Sequence, residues 1–159
     1  MLAYVFWHRP HAAVARDDYE EAQRGFHGSL PIESACFRVD ALPFGDRAAG
    51  YEDWYLVEDW RSLGELSAAA VGGRPGEKHD RAAALAGAGW GGLYAGVRGE
   101  PAIPAGAEWR SKPPGEPAEP FVASLPGGAI WRRQLVLGPA PEFCLSTAPS
   151  RGRVPITPS

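Results

Sequence analysis

The 159-residue sequence predicts an α+β protein, with elements in the order β-α-β-β-α-β over residues 1–100 and a proline-rich arm over 101–159. Three observations predict it. Several segments alternate apolar and polar residues with period two, the mark of strands. Two intervening segments carry apolar residues at spacings of three and four, the mark of helices packed on one face. Proline is unevenly placed, with four in residues 1–100 and twelve in 101–159.

Residues 2–8 (LAYVFWH) are rich in aromatic and β-branched side chains and form the first strand, closed by Arg9-Pro10. Asp17 and Asp18 then offer a cap, and Glu20 and Glu21 suit a first helical turn. Tyr19, Ala22, Phe26 and Leu30 make one apolar stripe, and Pro31 stops the helix. Residues 33–42 alternate, with Ala35, Phe37 and Val39 on one side and Ser34, Cys36, Arg38 and Asp40 on the other. A turn at Pro43–Asp46 leads to a third strand, Tyr51–Glu58. Asp59 caps a helix through Trp60, Leu63, Leu66, Ala70 and Val71 that ends at Gly72-Gly73. A short helical stretch, His79–Ala86, precedes a fourth strand over 90–98. This order is the ferredoxin-like arrangement.

The arm begins with a linker-like stretch, Pro101–Pro120, holding six prolines. Residues 129–137 and 142–147 are strand candidates, separated by 138–141, and 148–159 reads as a frayed or extended tail. Both faces of the four-stranded sheet are apolar. Two helices cover only one of them, and soluble monomers avoid an exposed aromatic patch of that size. Either a second copy packs sheet to sheet, or the arm folds back over the face.

Charge and cysteine content exclude several classes. The net charge is −3, and no basic cluster of the kind that binds phosphate is present, so nucleic acid is not expected as a partner. Cys36 and Cys144 are too few and too far apart for a disulfide framework or a zinc motif. No segment approaches the ~20 apolar residues of a membrane span, and the first seven residues suit a strand better than a signal peptide. A cytoplasmic protein without membrane contact is the expectation.

The first thirty residues carry a pattern: a strand ending Tyr4-Val-Phe-Trp-His8-Arg9-Pro10, an acid-aromatic pair Asp18-Tyr19, and His27-Gly28-Ser29-Leu30-Pro31. It resembles the EthD-like branch of the dimeric α+β barrel superfamily. The resemblance implies a homodimer whose two sheets form one barrel, a small-molecule cavity, and roles for Tyr19 and His27. Members include cofactor-free monooxygenases, isomerases, dehydratases and decarboxylases of aromatic or polyketide compounds, and some haem-binding enzymes. Residues 100–159 have no counterpart in the short form of the family.

Candidate catalytic groups are His8 and His27. An imidazole titrates near neutral pH and suits proton abstraction beside a carbonyl. The helix should run antiparallel to the first strand, which sets His27 near the strand's start, away from His8. Candidate substrate-binding residues are Tyr4, Phe6, Arg38, Tyr55, Trp90 and Tyr94, with Cys36 and Asp53 on the same assembled face. Arg38 would hold an acidic or enol oxygen unless it pairs with Asp53, and Tyr55 or Tyr94 would donate to a carbonyl. His8-x-x-His11 spans an Arg-Pro turn and lacks metal-site geometry, so no metal is expected. Gly87-Ala-Gly-Trp-Gly-Gly92 matches G-x-G-x-x-G, but it follows a helix and precedes a strand, the reverse of a dinucleotide site. Three readings remain open: a cofactor-free enzyme on an aromatic or cyclic carbonyl compound, a non-catalytic dimeric binding or structural protein, and a haem enzyme with one axial histidine.

Overall fold

The computed structural model describes residues 1–70, 73–137 and 139–157. Strand β1 (Leu2–Pro10) is followed by α1 (Arg16–His27), β2 (Ser34–Val39), β3 (Gly50–Val57), α2 (Trp60–Ala70), α3 (Gly73–Leu85) and β4 (Ala86–Arg98). The arm adds β5 (Gly106–Arg110), α4 (Ala118–Ser124), β6 (Ile130–Leu137), β7 (Phe143–Thr147) and β8 (Arg153–Pro155). All strands pair antiparallel in one eight-stranded sheet, in the order β5-β7-β6-β4-β1-β3-β2-β8.

The sheet curls into a nearly closed barrel. In a flat sheet β5 and β1 would stand four strand spacings, about 19 Å, apart. Yet the rings of Trp7 on β1 and Trp109 on β5 lie 4.9 Å apart at their centroids. Trp54, Tyr94, Trp131, Phe37 and Phe44 fill the same interior. At its centre Glu52, 2 % exposed, accepts hydrogen bonds from the indoles of Trp54 (2.7 Å), Trp109 (2.8 Å) and Trp7 (3.0 Å). Arg153 of β8 completes the cluster, 2.9 Å from Glu52 and stacked on the Phe37 ring. One carboxylate therefore joins the first, third, fifth and eighth strands.

The arm is woven into this sheet instead of trailing from it. Strands β6 and β7 fall within the candidates 129–137 and 142–147, whereas β5, α4 and β8 are additions. The stretch 148–157 is not a frayed tail: β8 pairs with β2, and Ile156 is buried. The second apolar face is thus covered by the chain's own residues, so of the two ways expected to cover it, the arm folding back is the one adopted.

The front elements follow their sequence patterns with local differences. Chain entry into α1 comes at Arg16, with Ala15 at the cap position, so Asp17 and Asp18 lie within the first turn and act on the helix dipole instead of capping it. The helix closes at His27, before Leu30. Asp59 accepts the Ser62 amide at 2.8 Å, as a capping residue should. Trp60, at the first position of α2, is exposed, whereas Leu66 is buried. Helix α3 starts at Gly73, well before the expected His79, because proline, here Pro75, is tolerated in a first turn. Val71, Gly72 and Gly138 lie outside the described residues.

A candidate active-site cavity

The opposite face of the sheet, beneath α1, α2 and α3, holds a cavity of about 530 Å³. Its walls are apolar: Phe26 from α1, Leu63, Leu66 and Ala70 from α2, Ala82 and Ala83 from α3, and Leu93 from β4. Tyr4, Phe6 and His8 enter from β1, and Asp53 and Tyr55 from β3, since alternate residues of neighbouring strands share a face. The glycines of β4 make room for them. A Cβ at Gly89 would stand 2.2 Å from the Phe6 ring, and one at Gly91 would stand 2.6 Å from the Tyr4 hydroxyl. The glycine run is a bed for two aromatic side chains, with no phosphate loop in it.

The polar end of the cavity is a connected group of buried side chains. The Tyr19 hydroxyl lies 2.5 Å from His8 Nδ1. His8 Nε2 stands 3.0 Å from Asp53 Oδ2, at ion-pair distance but off the imidazole N–H axis, so no aligned hydrogen bond joins them. Tyr55 donates its hydroxyl to the same oxygen at 2.8 Å. His27 Nε2 approaches Oδ2 to 3.5 Å, its ring stacked on Tyr55, and its Nδ1 meets Ser34 Oγ at 2.9 Å.

Burial alone would raise the Asp53 carboxyl, but the nearby imidazoles of His8 and His27 outweigh it and hold the group well below the usual carboxylate range. Burial, reinforced by the Asp53 charge, pushes the hydroxyls of Tyr4, Tyr19 and Tyr55 and the thiol of Cys36 upward. At neutral pH the tyrosines are therefore donors. An ionised Asp53 beside Nε2 favours the tautomer with its proton there, leaving Nδ1 to accept from Tyr19. No lysine or arginine is among the described residues that line the cavity. A neutral ligand suits it better than an anion.

Of the residues singled out in the sequence, His8, Tyr4, Phe6 and Tyr55 line the cavity. His27 lies behind it and meets His8 at Asp53, contrary to the separation expected from the helix direction. Asp53 is level with Phe6, two pairs from His8, and both imidazoles approach its Oδ2. Arg38 is elsewhere: it does not line the cavity, and it pairs with Glu20 at 2.5 Å instead of Asp53. Trp90 and Tyr94 lie on the barrel side. Register sets them opposite Trp7 and Ala3, and Tyr94 donates to the Pro141 carbonyl at 2.7 Å.

The sequence reading put Asp53 on the assembled face only as a partner for Arg38, passed over Gln23, and gave Tyr19 a role only through the resemblance. Tyr19, Gln23 and Phe26 recur at four and three along α1, which marks a single face containing one buried polar residue. Asp53 shares its face with Tyr51 and Tyr55 in a strand that is buried throughout.

Compared with protein-family models, curated proteins and solved structures, the chain matches none of them. No helix among the described residues is long and apolar enough to cross a membrane.

Proposed function

We propose that the protein is a small-molecule enzyme of the EthD-like kind that moves a proton on a neutral aromatic or cyclic carbonyl compound without an organic cofactor. The observation that carries this reading is the Tyr19–His8–Asp53 chain opening into an apolar cavity. A few convergent polar groups in an apolar pocket are the usual form of such a site. In the proposed step a substrate C–H beside the carbonyl gives its proton to the Tyr19 oxygen as the Tyr19 hydroxyl proton passes to His8 Nδ1. The resulting imidazolium is stabilised by the Asp53 charge, and the C–H electron pair moves onto the substrate oxygen. The Tyr4 hydroxyl is a donor within the same cavity for that oxygen. The central order β4-β1-β3-β2 supports a ferredoxin-like core, to which the arm adds β6, β7 and β5 at one edge and β8 at the other.

The test is hydrogen–deuterium exchange at the α-carbon of 1-tetralone, followed by NMR in deuterated buffer. Catalysed exchange is expected in the wild type and loss of it in Tyr19→Phe and His8→Gln, with tetralone binding retained by fluorescence. Exchange that persists in both variants would dismiss the relay. A non-catalytic binding protein is the second reading, favoured by the bond that already ties His8 Nδ1 to Tyr19 within the protein. Binding without exchange in the wild type would select it.

A further inference from the structure

The side of the His8–Asp53 pair turned toward β2 has a property that the proton relay does not use. His8, Cys36 and Asp53 come from three adjacent strands, and one ligand-type atom of each lies within 4.8 Å of the others. Cys36 and Asp53 are directly opposed in the β2–β3 ladder, and His8 stands on the next strand, two pairs along and on the same face. All three are fully buried. Yet His8 Nε2 and Asp53 Oδ1 have no hydrogen-bond partner among the described residues. Buried polar atoms are nearly always partnered, and two orphans in one cluster need an occupant.

We propose that His8, Cys36 and Asp53 form a site for a divalent transition metal of the zinc class. The set of one nitrogen, one sulfur and one oxygen suits zinc, cobalt or ferrous iron and does not suit magnesium or calcium, which take oxygen ligands. Tetrahedral zinc at its usual bond lengths sets ligand atoms about 3.3–3.8 Å apart. The widest separation, at most 4.8 Å, therefore has to close by roughly an ångström on binding. Three protein ligands leave a fourth position, and His8 and Asp53 both border the cavity, so this position opens toward a ligand there.

The neighbours suit the role. Tyr55 donates to Oδ2 and turns Oδ1 free, while Tyr19 holds the far nitrogen of His8. Such partners fix the orientation of metal ligands. On binding, the Cys36 thiol releases its proton to solvent as the sulfur–metal bond forms and the metal gives up a water. The His8 proton moves to Nδ1, which then donates to the Tyr19 oxygen. The metal-free floor can accept a proton at Nδ1, and the metal-loaded floor cannot. Metal occupancy would thus switch the floor from base to electrophile.

The test is titration of the full chain with cobalt(II). One cobalt per chain is expected, with a thiolate-to-cobalt charge-transfer band in the near ultraviolet, tetrahedral d–d bands in the visible, and displacement by zinc. Cys36→Ser and Cys36→Ala, each checked for native circular dichroism, should lose the charge-transfer band, whereas Cys144→Ser should keep it. Asp53→Asn should weaken cobalt binding at least about tenfold. Absence of the charge-transfer band in the wild type, or an equal band in a folded Cys36 variant, overturns the proposal. The tetralone exchange is read on metal-free protein, so either result stands or falls without the other.

Discussion

Glu52 is the point at which the barrel is held closed, and its replacement should be the most damaging single polar change in the interior. In Glu52→Ala the Arg153 guanidinium, buried beside Phe37, loses its counter-charge. Breaking a buried ion pair from one side costs about 3–5 kcal/mol. The indole N–H groups of Trp7, Trp54 and Trp109 lose their acceptor as well, at about 1–3 kcal/mol for each buried donor left unpaired. Even the lower ends sum to about 6 kcal/mol, comparable with the whole stability of a domain, about 5–15 kcal/mol. Glu52→Ala should therefore populate unfolded protein in the absence of denaturant. Glu52→Gln keeps an acceptor oxygen and loses the charge, so its cost should be near that of the ion pair alone, about 3–5 kcal/mol. The double variant Glu52→Gln/Arg153→Met removes both charges and should recover most of that loss. Urea unfolding followed by tryptophan fluorescence reports on the same indoles. A Glu52→Gln midpoint within about 1 kcal/mol of wild type, or no recovery in the double variant, would refute the reasoning.

Further outcomes follow from the same structure. The depressed Asp53 carboxyl contributes stability that is present above the unfolded carboxylate pKa, about 3.9, and is lost as pH falls from there toward its folded value. Urea midpoints between pH 6 and pH 3 should therefore fall more steeply for wild type than for Asp53→Asn. Gly89→Ala should cost about 1–3 kcal/mol through the contact with Phe6 and should weaken tetralone binding. Both are measurable by thermal shift. A chain ending at residue 100 lacks Trp109, Trp131 and Arg153 and should lose native near-ultraviolet circular dichroism and bind an apolar dye. Light scattering should give the mass of a single chain, 17.0 kDa, because the aromatic face is already covered. A mass of two chains would place an interface on another surface.

The strands of the front half were legible because each has its own alternation: Val5 and Trp7 against Tyr4 and Phe6, or Phe37 and Val39 against Cys36 and Arg38. Alternation sorts a strand's residues into two sets without saying which set shares a face with the neighbouring strand. That depends on register, and a shift of one residue exchanges the faces. Hence Trp90 and Tyr94 were read onto the cavity side, while pairing with Trp7 and Ala3 puts them inside the barrel. Strands β5 and β8 were illegible for a different reason. Gly106–Arg110 and Arg153–Pro155 are short and carry little apolar pattern, and they exist as strands through pairing with β7 and β2.

The site divides in the same way. His8, Tyr4, Phe6 and Tyr55 were found because side chains two apart in a strand share a face. The meeting of His8 and His27 at Asp53 was not, since it depends on how α1 lies across the sheet. The sequence by itself determined an α+β chain with a two-faced aromatic sheet and a proline-rich extension. Only the tertiary structure decided that the extension closes the barrel within the chain, and that one carboxylate gathers two histidines and a tyrosine. Local pattern is written along the chain, whereas register, curl and the encounter of buried polar groups arise from contacts between residues far apart in it.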